Sequence, residues 1–198
     1  MNEEQFIFLK EVLGSFSDMT DDDIAISSGA WRSKSFAKGQ FYNVQNVVCK
    51  DLGVVVKGLF RVYHFEQESG IENNLYFFNE GQFVVSFRSF ITQYPCAYYI
   101  EAMEDSEILY VPYTELQELY SNHKGWERFG RLLAEHFFNK SQERSEALLF
   151  YTHEQRYLKM MQDLPRLVER ISSQHVASYL GIKIQSLSRI RKRIREGG

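Results

Sequence analysis

The sequence predicts an α+β fold in which an N-terminal antiparallel β jelly roll, a long helix and a C-terminal all-α helix-turn-helix follow one another. Three observations predict it. Residues 30–112 are rich in Val, Ile, Phe and Tyr and are punctuated by glycines, which is typical of short strands joined by tight turns. Residues 125–151 carry apolar side chains every three or four positions, except in a polar middle at residues 139–143. Residues 174–195 contain two short amphipathic segments separated by Gly181.

The composition is that of a globular protein. The 198 residues can form one large or two modest domains, with 44% hydrophobic and 25% charged residues. No apolar run reaches the roughly 20 residues that cross a bilayer, and the acidic start (Met1 to Glu4) is unlike a secretory signal. We therefore expect a cytoplasmic protein without a membrane partner, in which Cys49 and Cys96 are buried free thiols.

The jelly roll is expected within a domain covering residues 1–124. Two short helices precede it, one with Phe6, Leu9 and Leu13 on its apolar face and one that begins after Thr20. Residues 54–65 form the strongest predicted strand pair, and residues 68–70 form a hairpin turn before a strand at 74–78.

A long helix is predicted over residues 125–151, where Trp126, Phe129, Leu133 and Phe137 form an apolar stripe. Roughly 25 residues of helix extend about 40 Å, which is more than one side of a small core needs. Packing against the core of the same chain and pairing with the same helix of a second subunit both fit the stripe. We favour pairing, with these four side chains at the dimer interface.

The helix-turn-helix is expected within residues 152–198. Thr152 and Gln155 predict a capping box at the start of a helix that runs to about residue 163. A second helix, capped by Ser172 or Ser173, ends at Gly181. The last helix, over residues 185–195, turns its apolar side chains inward and exposes the others.

The charge distribution indicates a polyanionic partner. Residues 183–198 hold six Lys or Arg side chains against one acidic side chain, Glu196, although the whole chain has a net charge of −3. A helix that is apolar on one face and basic on the other, and that follows a short turn with glycine, is typical of a helix-turn-helix that reads DNA. A solvated basic tail is the alternative, and the apolar spacing of the last helix favours the folded unit.

We expect the second helix to enter the major groove of double-stranded DNA. The candidates for contacts with base edges are Ile184, Gln185, Ser188 and Arg189, of which Arg189 could hold a guanine through two hydrogen bonds. The candidates for phosphate contacts are Ser172, Ser173, Ser186, Lys192 and Arg193.

The order of these parts resembles the Crp/Fnr family of bacterial regulators. The match is carried by residues 171–192 (ISSQHVASYLGIKIQSLSRIRK), by residues 56–62 (VKGLFRV), by the cassette-like stretch 81–97 and by residues 100–105 (IEAMED). The resemblance implies a cyclic nucleotide-binding-like jelly roll that senses an effector, and a homodimer on a pseudo-palindromic DNA site. It also implies RNA polymerase as a partner.

The resemblance further implies an effector pocket formed by Gly81, Gln82, Phe83, Val84, Ser86, Arg88, Cys96 and Ala97, with Ser141 and Gln142 of the long helix. In members that bind cyclic AMP this cassette presents a Glu to the ribose hydroxyl and an Arg to the cyclic phosphate. Ser86 and Cys96 stand at about those two positions. Because the bidentate, charge-assisted anchor is lost, we do not expect cyclic AMP to bind in the usual way.

Other cofactors and functions fit less well. An iron–sulfur cluster needs about four cysteines, nothing marks a histidine as a haem ligand, and a cupin-like metalloenzyme needs clustered histidines where the strand region offers His64. We therefore expect no cofactor, metal site or catalytic residues. The sequence contains sixteen Phe and twelve Tyr residues. If such side chains fill the interior of the roll, the protein has lost ligand sensing and is either a constitutive DNA-bound dimer or a protein-interaction module, and this alternative stays open. Since the sequence ends at Gly198, most of the family's β-wing is expected to be missing.

Overall fold

The computed structural model describes residues 2–196 and divides them into two compact units. The first unit contains residues 2–62 and 77–138, and the second contains residues 63–76 and 139–196. The end of one β-hairpin and the C-terminal part of the longest helix therefore belong to the second unit. The expected domains (1–124, 125–151 and 152–198) divide the chain elsewhere and stay a prediction about independently folding parts.

In chain order, the helices are α1 (Glu3–Ser17), α2 (Asp21–Ile26), α3 (Phe87–Thr92), α4 (Tyr113–Asn122), α5 (Lys124–Phe150), α6 (His153–Asp163), α7 (Leu167–Arg170), α8 (Ser173–Leu180) and α9 (Ile184–Glu196). The strands are β1 (Arg32–Phe36), β2 (Phe41–Asn43), β3 (Asp51–Lys57), β4 (Leu59–Glu66), β5 (Ile71–Asn79), β6 (Phe83–Val84), β7 (Tyr99–Ala102) and β8 (Ser106–Pro112). Within residues 2–196, no helix is both long and apolar enough to cross a membrane.

The strands form two four-stranded sheets, in the orders β1-β8-β3-β6 and β2-β7-β4-β5. The pairs of β8 with β1 and β3 are antiparallel, and the predicted antiparallel β roll followed by helices is confirmed. The predicted strand pair over residues 54–65 is different in detail, because β3 and β4 lie in separate sheets. Gly58 joins them at φ +104°, where a Cβ atom would clash with Ser106, so the turn requires glycine.

The first half of α5 packs into the core of the first unit. Trp126 and Phe129 are 0% exposed and Leu133 is 1% exposed, and the Trp126 indole donates a hydrogen bond to the Asp23 carbonyl at 2.8 Å. Phe137 is half-buried. The expectation that this stripe faces a second subunit is therefore wrong for Trp126, Phe129 and Leu133, because these side chains are already covered by their own unit. Core packing, the other interpretation of the stripe, applies to this half of the helix.

Candidate nucleic-acid interface and effector cassette

The C-terminal helices form a helix-turn-helix in which glycine makes the turn. Ser172 caps α8, and its hydroxyl accepts a hydrogen bond from the His175 N–H at 3.3 Å. Gly181 ends α8 in the left-handed conformation, at φ +67°, and the Ile182 N–H donates a hydrogen bond to the Ala177 carbonyl of α8 at 3.0 Å. Residues with a side chain are strained at this φ. Glycine at this position therefore allows the short turn that leads to α9 at Ile184.

The apolar faces of α8 and α9 are buried. Val176, Ala177 and Leu180 of α8, and Leu187 and Ile190 of α9, are at most 6% exposed, and the two helices are in contact. The predicted folded unit is confirmed in the described residues. This packing decides which side of α9 remains available to a ligand.

The opposite side of α9 forms an exposed ridge, defined here as Gln185, Arg189 and Lys192. These residues follow one another at spacings of four and three, so they are neighbours on one helix face, and all three are exposed. The ridge presents an amide, a guanidinium and an ammonium group. These groups can read base edges and hold phosphates.

A groove lies on each side of the ridge. The Arg191 groove, of about 610 Å³, is lined by Tyr157, Ser173 and the α9 side chains Ser188, Arg191 and Arg195, among others. The Glu154 groove, of about 590 Å³, is lined by the N-terminal turn of α6 and by α9 side chains that include Ser186 and Arg193. Both grooves belong to the second unit.

The four predicted base-reading side chains are exposed on α9. Gln185 and Arg189 lie on the ridge, whereas Ile184 and Ser188 line the Arg191 groove. Contact of these side chains with bases stays a prediction.

Two of the predicted phosphate-binding residues lie at the start of α8, next to a basic side chain that the sequence analysis did not single out. Ser172 is exposed, and the Ser173 hydroxyl accepts a hydrogen bond from Nη1 of Arg191 at 2.7 Å. Nε of Arg191 donates to the Tyr157 hydroxyl at 3.3 Å, and the guanidinium carbon lies 5.7 Å from the centre of that ring. A helical-wheel count that separates Arg191 from the exposed basic residues could have identified it.

The other three predicted phosphate-binding residues differ in environment. Lys192 is exposed on the ridge, and Ser186 is half-buried in the Glu154 groove. Nη1 of Arg193 lies 2.8 Å from Oε2 of Glu154, with 71% and 35% of the two side chains exposed. An ion pair this exposed contributes at most about 1 kcal/mol, so Arg193 can exchange Glu154 for another anion at little cost.

Arg144 of α5 holds the end of α8 within the second unit. Its Nη2 donates a hydrogen bond to the Tyr179 carbonyl, and its guanidinium carbon lies 4.1 Å from the centre of the Tyr179 ring. Burial lowers the pKa of the Arg144 guanidinium from its usual value and raises that of the Tyr179 hydroxyl. This contact fixes the last turn of α8, just before the Gly181 turn that leads to α9.

The β4–β5 hairpin contacts α8 through a small polar cluster in the same unit. The Ser178 hydroxyl donates to the Glu72 carbonyl at 2.7 Å and accepts from the Asn74 N–H at 2.9 Å. Nδ2 of Asn74 donates to the His175 carbonyl at 3.4 Å, and Oδ1 of Asn74 is buried with no hydrogen-bond partner among the described residues. The hairpin therefore helps to position the helix-turn-helix, a role that the sequence analysis missed because the residues lie about a hundred positions apart.

The predicted effector residues of the cassette lie in the first unit. Gly81 forms the turn before β6 at φ +76°, and the Gln82 carbonyl accepts a hydrogen bond from the Val55 N–H at 3.0 Å. Phe83, Val84 and Ser86 are buried, and Ser86 precedes α3. Arg88 and Ala97 are exposed, as are Ser141 and Gln142 on the part of α5 that belongs to the second unit. Their joint role in an effector pocket stays a prediction.

Cys96 is 3% exposed and fully engaged with neutral groups. Its thiol donates to the Tyr98 carbonyl at 2.8 Å and accepts from Nδ2 of Asn43 at 2.9 Å. A thiol in such a network cannot supply the charged fork that an arginine would offer to a cyclic phosphate. Among the described residues, no group of three or more His, Cys, Asp or Glu side chains could hold a metal ion.

Comparisons with known proteins match one domain of the chain to a family and most of the chain to a known fold. Residues 33–123 match the family model of the cyclic nucleotide-binding domain. Among solved structures, FixK2 from Bradyrhizobium japonicum is 15% identical, with a TM-score of 0.73, over 85% of this chain and 86% of that chain. The c-di-GMP-responsive global regulator CLP of Xanthomonas campestris is 18% identical, with a TM-score of 0.67, over 90% of this chain and 93% of that chain.

A protein from Eubacterium rectale, described as a transcriptional regulator of the Crp/Fnr family, is 17% identical, with a TM-score of 0.70, over 94% of this chain and 89% of that chain. No curated protein sequence matches the chain. The resemblance expected from the sequence is thus confirmed in the cyclic nucleotide-binding domain and in the fold.

The cassette leads to a prediction about Cys49, whose N–H donates to the Ser89 hydroxyl of α3 at 3.0 Å. Burial raises the pKa of its thiol from 9.0 to about 12. Since the thiolate is the reactive form, iodoacetamide at pH 8 should label Cys49 much more slowly in the folded than in the unfolded protein, as followed by peptide mass spectrometry. The contribution of the protonated Cys49 thiol to the free energy of unfolding is complete below about pH 9. It is lost as the pH rises toward 12, because the pKa of the thiol is higher in the folded than in the unfolded protein. Equal labelling rates would contradict this burial.

Proposed function

Because the chain contains a cyclic nucleotide-binding domain and has the fold of Crp/Fnr-type regulators, we propose that it is a dimeric, sequence-specific DNA-binding transcriptional regulator. It acts in the cytoplasm and contacts RNA polymerase at its promoters. The observation that carries the proposal is the ridge of α9, where Gln185, Arg189 and Lys192 are exposed on a capped helix-turn-helix. A helix of this kind fits the major groove, with the ridge toward the base edges.

The dimer forms through the exposed side of α5 instead of the buried one. Ala134, Phe138, Ser141, Ser145 and Leu148 alternate at spacings of four and three, which is the pattern of a two-helix coiled coil, and all five are exposed. Phe138 is 68% exposed and Leu148 is 44% exposed. The apolar members of this set, Ala134, Phe138 and Leu148, support pairing with a second copy of α5, with the small Ser141 and Ser145 between them.

The effector domain does not bind cyclic AMP in the usual way. The support comes from the neutral, hydrogen-bonded Cys96 thiol and from Ser86, which has no charge to offer. The alternative of a non-sensing roll is favoured by aromatic packing inside it: the rings of Phe36 and Phe60 lie 5.4 Å apart and are 4% and 0% exposed. A roll without an effector leaves two functions, a constitutively DNA-bound dimer or a protein-interaction module.

Selection of bound fragments from random-sequence DNA, at roughly physiological salt, tests the proposal. We expect the purified full-length protein to enrich an inverted repeat whose half-site centres lie about one helical turn apart, because a symmetric dimer presents two reading helices. The double variant Arg189→Ala, Lys192→Ala is the control and should enrich no repeat. Equal recovery of all sequences by the wild type, or recovery of none, would contradict the proposal.

Single substitutions on the ridge should separate base reading from phosphate binding. Arg189→Ala should weaken binding to the selected site by about 1–3 kcal/mol and relax one base position, whereas Lys192→Ala should weaken all sequences alike and reduce the salt slope by about 1. Fluorescence anisotropy over a salt series, on the selected site and its single-base variants, measures both effects. If the two variants behaved alike, α9 would lie differently on the DNA.

The dimer interface can be tested by sedimentation velocity. Phe138→Glu should give a monomer because it inserts a charge into the proposed apolar seam, while Ile91→Glu, at another exposed apolar residue (53% exposed), should remain dimeric. Leu133→Ala should instead lower the free energy of unfolding by about 2–5 kcal/mol, since it opens a cavity in the core. A Phe138→Glu protein that sediments like the wild type would exclude this face of α5.

A further inference from the structure

Arg191 differs from the other basic side chains of α9 because other parts of the helix-turn-helix unit hold its guanidinium. It is half-buried, and it bonds to Tyr157 of α6 and to Ser173 of α8. These two bonds use two of the five N–H groups that a guanidinium carries. In the described part of the chain, no acceptor contacts Nη2, so one edge of the planar group is left for a ligand.

The Arg191 groove is the more cationic of the two grooves. Arg195 also lines it, and its Nε approaches the Arg191 carbonyl at 3.4 Å, which keeps both arginines along one flank of α9. None of the described residues that line this groove is acidic, whereas the groove on the other flank contains Glu154, which pairs with Arg193. An anion that approaches Arg191 therefore meets no carboxylate among the described residues that line the groove.

We infer that the Arg191 groove binds one phosphate of the DNA backbone in each half-site, with Arg191 as its anchor; this rests on the proposed DNA-binding function. Nη2 and the remaining N–H of Nη1 donate to the two non-bridging oxygens of the phosphodiester. A guanidinium fork matches this geometry better than an ammonium group does. The Ser188 hydroxyl, exposed on the same flank, lies on the side between the anchor and the ridge.

Preorganisation distinguishes this site from the exposed basic residues. A free arginine loses rotamer freedom when it binds a ligand. Arg191 is already held by the Tyr157 side chain and the Ser173 hydroxyl, so it loses less conformational entropy on binding. With the ridge in the major groove, a flank of α9 faces one of the sugar–phosphate walls. The anchor thus fixes the position of the helix on DNA without reading sequence.

The test combines neutral phosphates with variants of Arg191. Single methylphosphonates are placed at each position of the selected half-site, and the Kd of full-length wild type and of Arg191→Ala is measured for each DNA. At one phosphate, neutralisation should weaken the wild type about tenfold or more, as expected for a charge-assisted hydrogen bond, and should have little further effect on Arg191→Ala. The salt slope of the variant should fall by about 0.9 for each half-site.

Arg191→Gln serves as a second variant, because its amide nitrogen, at about the position of Nε, can still donate a hydrogen bond to Tyr157 while the side chain carries no charge. It should give the same loss of sensitivity at the same phosphate, while its thermal unfolding stays close to that of the wild type. Lys192→Ala is the matched control and should leave the sensitivity at that phosphate intact.

If every methylphosphonate weakened the wild type and both Arg191 variants by equal factors, Arg191 would only connect three helices and the inference would be overturned. A wild type that enriches no DNA would overturn the proposed function itself. If the wild type binds DNA but no phosphate shows this dependence on Arg191, only the Arg191 site would be overturned.

Discussion

Burial of Leu187 and Ile190 in the helix-turn-helix is the constraint on which the functional interpretation depends. Because α9 is a helix, covering one face fixes which residues occupy the opposite face and the two flanks. The ridge and its two grooves are therefore consequences of apolar packing, although the side chains that form them are polar. The capped end of α8 at Gly181 and the contact of Arg144 with Tyr179 hold the partner helix in the same arrangement.

The elements that could be predicted from the sequence are those with a local signal. Thr152 with Gln155 forms the capping box where it was expected, and Gly181 has the left-handed conformation that its position indicated. Periodicity identified the buried stripe of α5 but could not say what covers it, because core and dimer interfaces both require apolar side chains at helical spacing. The stripe that includes Trp126 was therefore assigned to the wrong partner, and the exposed Phe138 was overlooked.

Nonlocal contacts account for the rest of what sequence reasoning missed. The cluster of Asn74, Glu72 and Ser178 joins a β-hairpin to α8 across about a hundred residues, and nothing in either segment alone indicates it. Among the described residues, none donates a hydrogen bond to the buried Oδ1 of Asn74.

The basic residues near the end of the chain have equal formal charges but different environments. They cannot be distinguished in the sequence, yet Arg193 forms an ion pair with Glu154, and Nζ of Lys192 lies 3.7 Å from Oε1 of Glu196. Arg191 is held by Tyr157 and Ser173, which leaves its charge available but fixes its position. Because counterion release counts only the phosphates that are neutralised, the salt dependence of DNA binding follows from these environments and not from the number of Lys and Arg residues.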